Sequence, residues 1–228
     1  MKAMLREWCP PVLWRRLQWL RASVSARAQV QGDGRTQDLE VYWDPQMAQI
    51  LETWGDGNVW DEIRLLLVNA RGRVLDIACG TGKTMAVLGP MKDLELHGFD
   101  ISDMLIRKAV ERGLRQDRLR VADATKMPYA DGEFDYSYSI GSLEHFTEAG
   151  IEQFVQEAAR VTRIASFHMM PTSRSERDEG WLKTYQSFHN NSLGWWEQRL
   201  RKCFADVVVL PSHWSDHLSV GNWFVCRK

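Results

Sequence analysis

Arg73-Val74-Leu75-Asp76-Ile77-Ala78-Cys79-Gly80-Thr81-Gly82-Lys83-Thr84 decides how this chain is read. An apolar run passes into a loop of small residues and then into a helical pattern: a strand, a ligand-cradling turn and a helix. Gly82-Lys83-Thr84 has the ending of a phosphate-binding loop, but such a loop needs a glycine five residues before Gly82, where Ile77 stands inside the strand. A dinucleotide fingerprint fits Gly80 and Gly82 but meets Met85 at its third glycine, which argues against the close approach a diphosphate requires.

Working outward, further strands are expected at Leu94–Ile101, Leu119–Ala122, Phe134–Ile140 and Ile164–Met169. Helices fall between them over 83–91, 102–113 and 147–162, the last with Thr147 as N-cap and Ile151, Phe154, Val155 and Ala158 on its buried stripe. Strands alternating with helices predict parallel βαβ units and a doubly wound sheet. Upstream, residues 1–72 read as helical. Asp44 and Pro45 open one helix with Met47, Ile50, Leu51 and Trp54 inward, and Asn58 caps a second with Ile63, Leu66, Leu67 and Ala70 on one face. Downstream, a polar stretch from Pro171 to Gly180 leads to a helix near 192–204, with Leu193, Trp196 and Leu200 inward. Asp206–Leu210 and Val220–Cys226 then lie close enough to pair antiparallel. The fold class expected is α/β, a mostly parallel seven-stranded sheet with an antiparallel terminal strand and an N-terminal helical cover.

Acids close three successive strands. Asp76 ends the first, Asp100 the second (18 residues after Gly82), and Asp123 the third. Ligands of such sheets bind at the carboxyl ends of the strands. Asp76-x-Ala78-x-Gly80-x-Gly82 resembles motif I of class I S-adenosylmethionine-dependent methyltransferases, with Ala78 in place of the usual first glycine. The resemblance covers residues 73–170 well and extends to the antiparallel terminal strand; Met127 to Asp135 also looks like the family's segment before the fourth strand. It implies a Rossmann-like fold, S-adenosylmethionine as cofactor, and a cofactor site of Asp76, Ala78, Gly80, Gly82, Asp100, Ile101, Asp123, Ala124 and Ile140. In that reading Asp76 helps hold the methionine ammonium and Asp100 accepts the ribose hydroxyls. Asp123 accepts from the adenine amino group, and Ile101 packs on the ring.

Methyl transfer to a hydroxyl needs a positioned acceptor, exclusion of water and a proton acceptor. His145, in Ser142-Leu143-Glu144-His145 after the fourth strand, is the candidate general base, with Glu144 able to orient it. Packing of the loop is the competing role for this histidine. His168, at the end of the fifth strand, and His189, after the polar loop, are candidate acceptor-site residues. No cluster of metal ligands is apparent, so metal-independent transfer is expected. The chain also looks like stand-alone bacterial methyltransferases of surface-polysaccharide biosynthesis, through Asn190 to Trp196 and Val220 to Phe224. That resemblance implies a glycan or lipid-linked saccharide acceptor. A small molecule such as a quinone or natural product is the enzymatic alternative, and a non-catalytic cofactor-binding partner is the other class.

Composition bounds the rest. The chain has 228 residues, 44% of them hydrophobic and 26% charged, enough for one sizeable core. A net charge of −1 argues against a nucleic-acid binder. Residues 1–30 nevertheless carry six basic residues and a single acid, Glu7. Val12, Leu13, Trp14, Leu17, Trp19 and Leu20 alternate there with Arg15, Arg16 and Arg21, so residues 8–22 could pack on the domain or lie on an anionic membrane. A division into a basic, Trp-rich segment (1–35) and a methyltransferase domain (36–228) is expected. Cys9, Cys79, Cys203 and Cys226 lack CxxC spacing, and no run of apolar residues is long enough to span a bilayer. A reducing, cytoplasmic setting is expected, with possible peripheral membrane contact. Eleven tryptophans avoid residues 61–180 and gather in the flanks, as packing residues or as an aromatic cover over a ligand.

Overall fold

The computed structural model describes residues 37–228. The segment 1–35, including residues 8–22, expected to pack on the domain or to lie on a membrane, lies outside the described residues.

After a 3-10 turn over Leu39–Trp43 come two short α-helices, α1 (Pro45–Ile50) and α2 (Val59–Leu66). Then β1 (Gly72–Ile77), α3 (Lys83–Leu88), β2 (Leu94–Asp100), α4 (Asp103–Glu111), β3 (Leu119–Val121), β4 (Phe134–Ile140), α5 (Glu148–Val161) and β5 (Thr162–Ser173) alternate as the sequence pattern requires. A small hairpin of β6 (Trp181–Leu182) and β7 (Phe188–His189) precedes α6 (Leu193–Leu200), β8 (Asp206–Ser215) and β9 (Ser219–Arg227). The seven-stranded sheet has the order β3-β2-β1-β4-β5-β9-β8. Its first five strands pair in parallel, while β9 runs antiparallel to both β5 and β8. This is the doubly wound sheet with one antiparallel strand that the sequence predicts.

The period-two alternation of β1 feeds two cores. Leu75 and Ile77 pack towards α5 and α6, with Phe154, Val155, Trp196 and Leu200. Val74 faces α2 and α3, with Ile63, Leu67, Leu88 and Tyr138. Asp44, Asn58, Thr147 and Ser192 cap their helices by accepting backbone N–H groups, each satisfying a donor the helix leaves open.

The structure departs from the sequence pattern at the β6–β7 hairpin, which that pattern does not predict, and in three of the expected elements. α1 stops at Ile50, which is 41% exposed, and Leu51 and Trp54 follow in turns. β5 runs on to Ser173 through Pro171. Beyond Met169 its neighbour β4 has ended, so only the β9 side is paired and a proline costs no ladder bond there. β8 likewise continues past Leu210 as the outer strand.

β4 and β5 are joined inside the sheet by a polar ladder. Ser137 Oγ lies 2.7 Å from Thr162 Oγ1 and 2.6 Å from Ser166 Oγ, Ser166 Oγ lies 2.9 Å from His168 Nε2, and His168 Nδ1 lies 2.8 Å from Ser139 Oγ. On the other side of the molecule, Glu62 of α2 accepts bonds from Ser212 Oγ, the His213 backbone N–H and Trp223 Nε1, tying the N-terminal cover to the terminal strands. Among the described residues no helix is long and apolar enough to cross a membrane.

Candidate active site

At the carboxyl edge of the sheet, three residues of the loop after β1 take left-handed backbone conformations: Ala78 (φ 58°), Gly80 (φ 54°) and Gly82 (φ 69°). A Cβ at Gly80 would lie 3.0 Å from Leu51 Cδ1, a tight approach that the end of the leucine side chain would have to yield to. The loop is pinned by Cys79 N–H to the Phe99 carbonyl at 2.8 Å and by Gly80 N–H to Asp100 Oδ2 at 2.9 Å.

A cavity of about 310 Å³ opens above this loop. Asp76, Ala78, Gly80, Asp100, Ile101, Asp123, Ala124 and Ile140, expected as cofactor residues, all line it. Gly82 does not. A Cβ at Gly82 would lie 2.3 Å from Leu114 Cδ1 and 3.0 Å from Ala109 Cβ, so this glycine serves packing of the loop on α4.

The acids differ in their surroundings. Asp76 is 4% exposed and accepts the Tyr138 hydroxyl at 2.9 Å; burial, reinforced by the charge of Asp100, raises its carboxyl well above the usual range. Asp100 is also buried, and burial lifts it to about 6 against the bonds it accepts from the Ser102 and Gly80 backbones. The Gly80 and Ser102 bonds fall on different oxygens, the Ile101 N–H also favours the ionised form, and these do not take all of the roughly four lone-pair sites of a carboxylate. Asp123 takes both its bonds at Oδ1, from Thr125 N–H and Oγ1, each at 2.8 Å.

The roof comes from residues the motifs did not announce. Tyr42, Met47, Leu51, Trp54 and Trp60 line the cavity from the N-terminal cover. Trp54 lies so close to Gly141 that a Cβ there would be 3.2 Å from its ring. Gln186 donates to the Tyr42 hydroxyl oxygen at 3.2 Å, Tyr185 donates to Asp44 at 2.6 Å, and Ser187 N–H donates to Asp38 at 3.2 Å. On the opposite side Trp43 Nε1 donates to Asp103 at 2.8 Å, and Arg112 joins Glu52 to the Thr81 carbonyl of the glycine loop. Burial pushes the Tyr42 hydroxyl up to about 12, so it stays protonated. Nothing in the local sequence marked Tyr42 or Gln186, because the contact joins segments 144 residues apart.

The three histidines lie elsewhere. His145 does not line the cavity. Its Nδ1 donates to the Ser187 carbonyl at 2.9 Å, its Nε2 is 3.7 Å from Glu144 Oε1, and burial lowers its pKa to about 4. In this arrangement His145, expected as general base, is bonded to the segment that holds the roof and does not open onto the cavity. Glu144, 4% exposed, is raised by burial to about 8 and is protonated at neutral pH. His168 sits mid-strand, fully buried between Ser139 and Ser166 and against Phe154 and Phe204, so it is a core residue and not an acceptor-site one. His189 is packed between Trp181 and Trp195, with ring centroids at 4.8 and 5.2 Å, and also lies off the cavity lining.

Comparison with known proteins agrees with this geometry. Residues 74–164 match the family described as "Methyltransferase domain". The chain is 32% identical over 146 residues to the O-methyltransferase cnsE of Penicillium expansum, covering 58% of this chain and 52% of that protein. It is 30% identical over 128 residues to the 27-O-demethylrifamycin SV methyltransferase of Amycolatopsis mediterranei, covering 54% of this chain and 46% of that one. The chain thus spans about half the length of the curated relatives it matches. Among solved structures, phosphoethanolamine N-methyltransferase 2 of Haemonchus contortus, in complex with S-adenosyl-L-methionine, superposes with a TM-score of 0.63 at 17% identity, covering 82% of this chain and 57% of that one. The fold is that of the Rossmann-like methyltransferases.

Proposed function

We propose that this protein transfers the methyl group of S-adenosylmethionine to an oxygen of a small-molecule acceptor. The observation that carries this reading is the convergence of Asp76, Asp100 and Asp123, from the ends of three adjacent strands, on one cavity above the glycine loop. The residues present fit the cofactor. Asp100 would accept from the ribose hydroxyls, and Asp123, whose Oδ2 takes neither Thr125 bond, would accept from the adenine amino group, with Ile101 and Ala124 also lining the cavity. Asp76, steadied by Tyr138, would hold the amino-acid ammonium. The bound cofactor supplies a methyl group already activated by its sulfonium.

The chain's own residues then position the acceptor and exclude water. Leu51, Trp54 and Trp60 close the cavity with apolar surface, while Tyr42, Ser142 and Gln186 offer neutral hydrogen-bonding groups to an acceptor. Tyr42, protonated, orients an acceptor oxygen as a donor and does not remove its proton. The O-methyltransferase relatives support oxygen as the nucleophile. A saccharide hydroxyl is the second reading, favoured by the stacking surface of Trp54 and Trp60 in the lining. A cytoplasmic setting suits Cys79, Cys203 and Cys226, which are free thiols.

Titration calorimetry with S-adenosylhomocysteine and product mass spectrometry with methyl-labelled cofactor test the proposal. The acceptor panel would hold phenolic, polyketide and saccharide hydroxyls. Transfer of label to oxygen is expected. Tight cofactor binding without transfer to any acceptor would support the non-catalytic partner, and absence of binding would overturn the cofactor reading.

A further inference from the structure

Gly82-Lys83-Thr84 is not part of a phosphate loop, which leaves its lysine without a role. Lys83 is the first residue of α3, is half-buried, and lines the cavity. Its ammonium lies 5.0 Å from the centroid of the Trp60 ring, whose indole also lines the cavity. A cation held over an aromatic face keeps its N–H donors available, because the ring attracts charge and accepts no conventional hydrogen bond. Glu52 feels the charge of Lys83, but its carboxylate is already bonded to Arg112.

The charges of the lining point to a ligand group. Among the described lining residues Lys83 is the single Lys, Arg or His, set against Asp76, Asp100 and Asp123. S-adenosylmethionine offers a ribose, an adenine amino group, an ammonium and a sulfonium that suit acids or neutral acceptors. It has one anionic group, the carboxylate of its amino-acid end. Asp76 and Lys83 bracket the glycine loop in sequence and both line the cavity, so the ammonium of an α-amino acid would find a carboxyl acceptor and its carboxylate would find the single cation. We propose that Lys83, poised on Trp60, is the seat of the cofactor carboxylate; this assignment rests on the cofactor reading above.

The test compares S-adenosylmethionine with its decarboxylated form, which lacks only the carboxylate, by titration calorimetry on the full chain. Wild type should prefer the carboxylated ligand by roughly tenfold or more, the scale of a charge-assisted hydrogen bond. Lys83→Met should abolish that preference, weakening S-adenosylmethionine while leaving the decarboxylated ligand within about twofold of wild type. Lys83→Arg should restore part of it. Urea unfolding of each variant separates a lost ligand contact from a damaged fold. A preference that survives in Lys83→Met, or equal losses for both ligands in a folded variant, overturns the assignment while leaving the cofactor reading standing. Failure of wild type to bind either ligand overturns both.

Discussion

Gly80 donates its backbone N–H to Asp100 Oδ2 at 2.9 Å, so the acid that ends β2 also holds the loop that follows β1. The two strands are neighbours in the sheet, and this bond turns their adjacency into a fixed position for the cavity floor.

Asp100→Ala is therefore expected to act twice. Loss of the acceptor strands the Gly80 and Ser102 N–H groups and lowers stability by about 2 kcal/mol, within the range for unsatisfied buried donors. It should also weaken S-adenosylhomocysteine by at least an order of magnitude. Calorimetric unfolding and ligand titration read the two effects, and an affinity within about twofold of wild type would show that Asp100 does not hold the ribose.

Ala78 adopts φ 58°, where an L side chain is disfavoured by about 1–2 kcal/mol. Ala78→Gly should relieve this and raise the melting temperature, less the extra chain entropy glycine loses on folding. Gly82→Ala should do the reverse, because its Cβ meets Leu114 and Ala109 and the backbone is left-handed. Thermal unfolding of the two variants should move in opposite directions.

Glu144 and His145 should shape the pH dependence of stability from opposite sides. Burial raises Glu144 from 4.5 to about 8, so its contribution is fully present below pH 4.5 and fades as pH rises through 8. Burial lowers His145 from 6.5 to about 4, so its contribution is present above pH 6.5 and fades as pH falls through 4. Urea midpoints measured from pH 4 to 9 should show Glu144→Gln flattening the alkaline limb and His145→Gln the acid limb. Parallel curves for wild type and both variants would contradict this.

His145→Ala should cost stability, on the order of 1–3 kcal/mol for a lost buried hydrogen bond, and loosen the segment that carries Tyr185 and Gln186. Once an acceptor is found, single-turnover rates decide its role. A loss of about 10²–10⁴-fold in the chemical step at unchanged stability would restore it as general base.

Much of the fold is legible because βαβ units write themselves twice, in alternating strands and in capped helices. Asp44, Asn58 and Thr147 cap where the pattern places them. The floor of the site is legible for a related reason: Asp76, Asp100 and Asp123 follow strands whose ends are visible in sequence. The roof is not. Tyr42 meets Gln186 and Asp38 meets Ser187 across long separations, and no local pattern encodes such contacts. For His145 a position next to a strand end says nothing of the direction of the ring, which in the structure meets the Ser187 carbonyl. Lys83 was hidden by the phosphate-loop reading that Ile77 excluded.

The seam of Ser137, Ser139, Thr162, Ser166 and His168 has a consequence for assembly of the sheet. Serine and histidine are poor partners for a buried strand unless each finds its counterpart, and here they do so in one alignment of β4 on β5. A slip by one residue would turn Tyr136 and Tyr138 into the seam and strand the imidazole in hydrocarbon. The pair thus behaves like a keyed joint. It accepts one setting, and that setting fixes how far Ile140 and Gly141 project at the rim of the cavity before any ligand arrives.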